Sequence, residues 1–357
     1  MDANQGLTQK LAGKRVVTIG GGTGPFAVLS HLKKSPCSIT AVVTMADSGG
    51  SSRRLMDEFG QLPFGDLRQA LVALSRNGVL WREVFNYRFP TGGSPINGNG
   101  EGMRGEGVGG HSLGNLVLSA LQEINGGDLL LALQDAQELL GTAGGVLPIT
   151  LAHTTLCAEL ADGTTICGET DIDRRGEHES GPLPPIKRLY LNPPAPPCPQ
   201  AIRALRRADV IIIGPGDLYT SILPNLLVED VARTIRESEA EKVYVCNLMT
   251  KHGETDGFHA SDFVREIHHH LGGRVDRVIL HNGAFPEHLI ESYAQQQQHP
   301  VIPDVAQVKD MVPEVVVDHL TAIGTDHFVR HDPLRLVRAV LSAATEEWQP
   351  SLSDLEA

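Results

Sequence analysis

Short apolar runs alternate along the chain with stretches of helical periodicity. Runs such as Arg15–Ile19, Ser38–Met45 and Asp209–Ile213 are rich in β-branched residues and end in glycine or hydroxyl residues, which is typical of buried strands. Segments between them, such as Asp66–Leu74 and Gln200–Arg207, place apolar residues on one helical face. The alternation predicts an α/β protein, a Rossmann-like three-layer fold with a mainly parallel sheet.

The remaining segments extend this pattern with one exception. Further strands are predicted at Lys242–Asn247 and Val275–Leu280, and further helices from His111, over Gly127–Leu140, over Leu226–Ile235 and around Arg335–Ala344. The exception is residues 146–192, where the period changes to two around Asp162-Gly163 and predicts a small β-hairpin insertion. We expect one domain over residues 14–344, with a flexible N-terminus (1–13), a glycine-rich loop (91–110) and an acidic tail (345–357).

The charge balance limits which partners the protein binds. The 357 residues carry a formal net charge of −13, so a general electrostatic field would repel nucleic acid. Aromatic residues make up only 4% of the chain, which argues against stacking platforms for single strands. Bound anions must therefore be held locally, by backbone N–H groups, a few arginines or a metal ion.

The cysteines and the apolar segments indicate a cellular compartment. Five cysteines without a CxxC pair argue against a disulfide framework or a zinc ribbon. The first 15 residues lack the apolar core of a signal peptide, and no run of 18 apolar residues occurs. We expect a cytoplasmic protein without a membrane span.

The first candidate loop, Gly20–Gly24, follows the first predicted strand. Its glycines Gly21 and Gly22, with Thr23, would let the backbone approach a phosphate at the start of a helix. It is not a P-loop because no Gly-Lys-Ser/Thr follows, and Pro25 stands where a dinucleotide-binding pattern needs glycine. The alternative is a tight strand–helix turn.

The second candidate loop follows the second predicted strand. Asp47 would hold a sugar hydroxyl or, through water, Mg²⁺, and Gly49 and Gly50 precede two serines and two arginines. The alternative is a helix-capping acid beside a flexible turn. Arg68 either points toward a phosphate or forms a surface ion pair with Asp66.

The third candidate loop, Gly214–Ser221, supplies Gly214, Gly216 and Thr220 as backbone and hydroxyl donors for a second phosphate or a sugar. Asn247 follows the next strand and is expected at the same edge of the sheet. His111 begins a helix, where it would contact phosphate or carry a proton. By contrast, we interpret His268–His270 as a solvated surface and Gln295–Gln298 as a polar helix end.

Longer motifs carry a resemblance to a known family. The chain contains, in order, GGGTG, TMADSGGSS, FGDLR, FNYRF, GGHSLGN, IIIGPGDLYTSILPNLLV, CNLMTKHGETDGF and VRHDP. In these motifs the sequence resembles the gluconeogenesis factor family, UDP-sugar-binding proteins within the 2-phospho-L-lactate transferase superfamily. The resemblance covers about Lys14 to Pro333.

The resemblance implies a ligand and a set of contacts. The ligand is a nucleotide sugar such as UDP-N-acetylglucosamine, and the residues implied around it, beyond those above, include Asn115 and Tyr219. It also points to a homodimer. This chain departs from the family pattern at Ser48, where a second acid is usual, and at Phe258, where tyrosine is common; the first change weakens a Mg²⁺ site.

Three hypotheses follow. The favoured one is a cytoplasmic nucleotide-sugar-binding protein that regulates carbon metabolism and cell shape, with no cofactor required and no metal site. The alternative is a transferase of the 2-phospho-L-lactate type that uses Mg²⁺, held by Asp47, with a nucleotide diphosphate. A third, an NAD-binding protein, is disfavoured by Pro25.

Overall fold

The computed structural model describes residues 11–22, 24–46, 61–90, 108–177, 181–323 and 328–342. Their central element is a sheet whose strands all run parallel. Its strands are β1 (Arg15–Gly20), β2 (Ser38–Val43), β3 (Gly145–Pro148), β7 (Val210–Ile213), β8 (Glu241–Val245), β9 (Arg277–His281) and β10 (Glu314–Asp318). Their spatial order is β10–β9–β8–β7–β1–β2–β3.

Helices flank this sheet and connect its strands. They are α1 (Gly24–Leu32), α2 (Gly65–Leu74), α3 (Gly78–Asn86), α4 (Leu113–Ile124), α5 (Leu129–Leu140), α6 (Glu169–Asp173), α7 (Pro199–Arg207), α8 (Leu223–Leu226), α9 (Val231–Glu237), α10 (Ala260–Leu271), α11 (Glu287–Ala294), α12 (Val305–Met311) and α13 (Pro333–Ser342). A five-residue π-helix, Leu218–Ile222, precedes α8. No helix among the described residues is both long and apolar enough to cross a bilayer.

The strands are apolar because helices cover both faces of the sheet. Ile19 of β1 and Ile211, Ile212 and Ile213 of β7 are fully buried although neighbouring residues point to opposite faces. The predicted Rossmann-like α/β fold with a mainly parallel sheet is therefore confirmed.

The predicted helix over Leu226–Ile235 is wrong. The chain forms α8 up to Leu226 and begins α9 only at Val231. Asp230 between them has φ +61°, the left-handed conformation, which a continuous helix does not allow.

Two small antiparallel sheets accompany the main one. Strands β4 (Thr155–Leu160), β5 (Thr165–Cys167) and β6 (Ile186–Asn192) form one in the order β5–β4–β6, and β11 (Thr321–Ile323) pairs with β12 (Val329–His331). The predicted hairpin is present, with Gly163 at φ +89° and the Thr164 amide donating to Asp162. β3, inside the predicted 146–192 segment, belongs to the main sheet.

This hairpin overturns one expectation about the cysteines. Cys157 and Cys167 face each other across β4 and β5 and form a disulfide. The count and spacing of cysteines gave no sign of this pair, because cross-strand register brings it together. Cys37, Cys198 and Cys246 are free thiols.

Candidate functional site

The first and third candidate loops meet at the carboxyl edge of the sheet. β1 and β7 are neighbours, and their loops leave the sheet side by side. A Cβ atom on Gly24 would lie 2.8 Å from the Gly216 Cα and closer still to the carbonyl oxygen of Pro215. Only glycine at position 24 allows this approach, so α1 begins in direct contact with the third loop.

Side chains from neighbouring strands fix this pair of loops. The Asn247 Nδ2 atom donates to the Gly216 carbonyl oxygen over 2.8 Å. Gly214 has φ +81°, and a Cβ there would lie 3.2 Å from the Val245 carbonyl oxygen. The end of β8 thus supports the third loop, and Asn247, which follows β8, is hydrogen-bonded to that loop.

These loops line a cavity of about 420 Å³, which we call the rim cavity. Of the predicted site residues it contains Gly21, Gly22, Gly216 and Asn247, with Asp217 and Ser221 from the third loop. The opposite wall comes from the C-terminal part of the chain: Tyr293, Gln296, Gln298, Phe328, Val329, Arg330 and His331. The interpretation of the glutamine run as only a polar helix end is wrong for Gln296 and Gln298.

A smaller side cavity of about 160 Å³ adjoins the rim cavity and shares Gly22 and Ser221 with it. Asp66, Arg68 and Glu169 line it. A Cβ on Gly21 would lie 2.5 Å from the Asp66 carboxylate, so that carboxylate reaches the first loop. Arg68 faces this cavity and also donates to the Phe85 carbonyl oxygen over 3.2 Å and to the Asn86 side chain.

The start of α4 packs behind Arg68. His111 and Asn115 are buried, and the Ser112 hydroxyl accepts a hydrogen bond from the Asn115 amide as a helix cap. A Cβ on Gly114 would lie 2.6 Å from the Arg68 Cδ. His111 and Asn115 line neither cavity.

Tyr219 and Thr220 of the π-helix also lie outside the rim cavity. Both are buried, and Tyr219 lines a different cavity. Its ring lies 6.5 Å from that of Phe258. The Thr220 hydroxyl is buried without a hydrogen-bond partner among the described residues. Gly214 braces the loop without lining the cavity, and Thr23, Asp47, Gly49 and Gly50 lie outside the described residues.

A charged network below the rim cavity was missed by sequence reasoning. The Lys251 ammonium lines the cavity and contacts Asp173 of α6, Asp217 at 2.9 Å and Glu254 at 3.2 Å. Burial alone would lower the pKa of Lys251, but the three carboxylates raise it well above its usual range. Burial raises the pKa of the Glu254 carboxyl to about 8, against the opposing effect of Lys251.

In this network one ammonium group faces the carboxyl groups of Asp173, Asp217 and Glu254, so its net charge is negative. Lys251 and Glu254 come from the motif KHGETDG, and Asp217 comes from GPGDL. The acidic residues of these two motifs were the sequence signal from which the network could have been predicted. The third carboxylate, Asp173, comes from the insertion, and only the fold brings it to Lys251. Among the described residues, no group of three or more His, Cys, Asp or Glu side chains is arranged to hold a metal ion.

His331 of β12 closes the far wall. It is 9% exposed, and its ring hydrogen-bonds to the Cys246 backbone while its Nε2 has no partner among the described residues. Burial lowers its pKa to about 4, so the ring is neutral at pH 7. Nearby, the Tyr293 hydroxyl accepts from the Val329 amide over 3.0 Å, which joins α11 to this wall.

A family model described as 2-phospho-L-lactate transferase CofD matches residues 16–321. The chain belongs to this CofD family. Within it, the chain is 40% identical over 330 residues to the gluconeogenesis factor of Halalkalibacterium halodurans, covering 92% of this chain and 96% of that protein. It is 37% identical over 334 residues to the gluconeogenesis factor of Bacillus subtilis, covering 93% and 98%.

A solved structure shares the fold of this chain. A crystal structure of a Bacillus halodurans protein, described as a member of the UPF0052 family, superimposes with a TM-score of 0.82. The two chains are 39% identical, and the match covers 92% of this chain and 99% of that one. The sequence-based family resemblance is therefore confirmed.

Proposed function

We propose that this protein is a regulatory nucleotide-sugar-binding protein whose rim cavity holds the diphosphate of a ligand such as UDP-N-acetylglucosamine. The observation that carries the proposal is the contact between the first and third loops, where Gly24 abuts Pro215 and Gly216. Two glycine-rich backbones side by side offer N–H groups to the oxygens of one diphosphate. In a chain of net charge −13, such local donors are what an anionic ligand requires.

The rest of the cavity matches the other parts of such a ligand. Lys251 supplies an ammonium hydrogen-bond donor for the phosphates, with its charge offset by Asp173 and Asp217. Tyr293 and Phe328 supply flat apolar surface for a base or sugar ring, while Gln296, Gln298 and Arg330 supply hydrogen-bonding groups. The cavity volume of about 420 Å³ lies within the usual range for small-molecule sites.

The proposed role in regulating carbon metabolism and cell shape goes beyond what the names of the relatives state. Two relatives that match over nearly their whole length are named gluconeogenesis factor. A binding protein of this kind responds to the concentration of its ligand but does not convert the ligand. Its occupancy should therefore rise with ligand concentration, and no product should form. We propose a cytoplasmic homodimer as its working form.

A Mg²⁺-dependent transferase remains the second candidate, favoured by the description of the family model and by the side cavity. Arg68, Asp66 and Glu169 there adjoin the proposed diphosphate position, where an arginine would neutralise developing charge. The described carboxylates do not form a set of metal ligands, and Asp47 lies outside the described residues.

Isothermal titration with UDP-N-acetylglucosamine, GDP and NAD, each with and without Mg²⁺, separates the hypotheses. We expect micromolar binding of the UDP-sugar, about 8 kcal/mol, that does not depend on the metal. Metal-dependent GDP binding would favour the transferase, and binding of NAD alone would favour the third hypothesis.

A substitution in the loop contact localises the site. Asn247→Ala removes the hydrogen bond to Gly216 and should weaken UDP-N-acetylglucosamine about fivefold, the equivalent of about 1 kcal/mol. Asn77→Ala, at an exposed position before α3, is the matched control and should bind like the wild type. Equal affinities in all three proteins would contradict the assignment of the rim cavity.

A further inference from the structure

A second cavity of about 430 Å³ lies between the β insertion and α10, which we call the insertion cavity. Lys187 and Arg188 line it from β6, an edge strand of its small sheet. Arg265 and His269 line it from α10, where residues four apart share a face. None of these residues lines the rim cavity.

The charges of this wall are mostly positive. Of the lining cations, Lys187 pairs with Glu159 at 2.7 Å and Arg265 pairs with Asp262. Arg188 forms no salt bridge in the described part of the chain; its guanidinium lies 5.2 Å from the centre of the Tyr190 ring. Glu266 is the acidic residue among those that line the cavity.

The histidine run divides over several environments rather than forming a uniform solvated surface. His268 Nε2 accepts the Val275 amide over 3.2 Å, and His270 Nδ1 lies 3.0 Å from the Glu266 carbonyl oxygen. Burial lowers the pKa of both residues. His269 is exposed, and with His270 it lines the insertion cavity.

The π-helix contributes one residue to this cavity and another to the rim cavity. Tyr219 is 3% exposed and lines the insertion cavity. Burial raises its pKa, so the hydroxyl keeps its proton and can donate it to a ligand. Ser221, two residues later on the same π-helix, lines the rim cavity. π-helical turns are found frequently at functional sites.

We propose that the insertion cavity binds a small polyanion carrying phosphate or carboxylate groups, and that its occupancy changes ligand affinity at the rim cavity. Arg188, which forms no salt bridge in the described part of the chain, and the Tyr219 hydroxyl form the binding determinants. The π-helix transmits the effect because it contributes to both walls. This effector role rests on the proposed function, whereas anion binding itself does not.

Titration calorimetry with pyrophosphate and with citrate, without nucleotide sugar, tests anion binding. Arg188→Ser should weaken the preferred anion at least tenfold, and Tyr219→Phe about threefold. The control Arg203→Ser removes one exposed positive charge from α7, outside the cavity, and should bind like the wild type. Whichever probe binds in an Arg188-dependent way supports the proposal and identifies the favoured anionic group.

Three results would overturn it: neither anion binds saturably, Arg203→Ser weakens binding as much as Arg188→Ser, or only Asn247→Ala weakens binding. The last result would place the anion in the rim cavity. Circular dichroism melting curves should match for the wild type and Arg188→Ser, since Arg188 is exposed.

The effector role has its own measurement. The saturating anion should change the Kd for UDP-N-acetylglucosamine at least threefold in the wild type and leave it unchanged in Arg188→Ser. An unchanged wild-type Kd would overturn the coupling. Absence of any UDP-sugar binding would instead contradict the proposed function, while anion binding at the insertion cavity would still stand.

Discussion

The rim cavity and the insertion cavity differ in whether backbone or side chains form them. The rim cavity depends on backbone, because glycines let two loops touch and Asn247 fixes one of them. The insertion cavity depends on side chains, because cationic residues of β6 and α10 line it. A backbone-built site fails when any side chain is added, whereas a side-chain site changes affinity with each charge. The following predictions test this contrast, from the largest expected effect to the smallest.

The largest loss of stability is expected from removing the Lys251 charge at the rim cavity. Lys251→Met leaves Asp173, Asp217 and Glu254 without their cation, and breaking such partly buried pairs should lower the free energy of unfolding by about 3 kcal/mol. Urea denaturation measures this loss, which should be smaller at pH 5 than at pH 8, because the Glu254 carboxyl, with its pKa raised to about 8, is protonated at pH 5 and then needs no cation. Lys251→Arg keeps the charge and should lose less; equal losses would contradict the electrostatic account.

The second-largest loss of stability is expected from adding one methyl group at the contact between the first and third loops. Gly24→Ala places a Cβ against the Pro215 and Gly216 backbone, which cannot move as a side-chain end could, so we expect about 2 kcal/mol of destabilisation. Weaker UDP-sugar binding should accompany it. Gly181→Ala is the control, since its Cβ would meet no atom within 4 Å. Similar unfolding curves for both variants would disprove the close approach.

The loss of folding stability at acidic pH should depend on His331. Because burial lowers its pKa to about 4, the unfolded chain binds the proton more readily between about pH 4 and 6.5. Stability should therefore fall as pH falls through that window. His331→Gln should remove much of this dependence, on the order of 2 kcal/mol at pH 4.

Glu254 contributes a pH dependence of opposite sign. Its pKa is raised to about 8, so the folded state holds the proton above the unfolded pKa of 4.5, and stability falls as pH rises toward 8. The difference between the wild type and His331→Gln cancels this contribution and isolates the histidine. A flat difference curve between pH 4 and 7 would contradict the assignment.

A conservative change at the insertion cavity should have the smallest effect. Arg188→Lys keeps the charge and loses only the planar donor geometry, so we expect anion affinity to fall about threefold. Calorimetry with the preferred anion measures it beside Arg188→Ser. If the lysine variant binds as poorly as the serine variant, geometry rather than charge governs this site.

The sequence predicted the architecture because local patterns carry it. Short runs rich in β-branched residues predicted β1, β2 and β7 within two residues at each end. The hairpin at Asp162-Gly163 was equally local. The long helix at Leu226–Ile235 failed because apolar periodicity does not reveal the left-handed residue Asp230.

For the candidate site, the sequence by itself determined which loops leave the carboxyl edge and which glycines they contain, because strand order and turn chemistry are written locally. Only the tertiary structure decided which of those residues share a cavity. It turned Tyr219 away from the rim cavity, brought Asp173 to Lys251, and supplied a wall from Tyr293 to His331. These contacts join residues far apart in the chain, and the direction of a side chain depends on packing that no local pattern records.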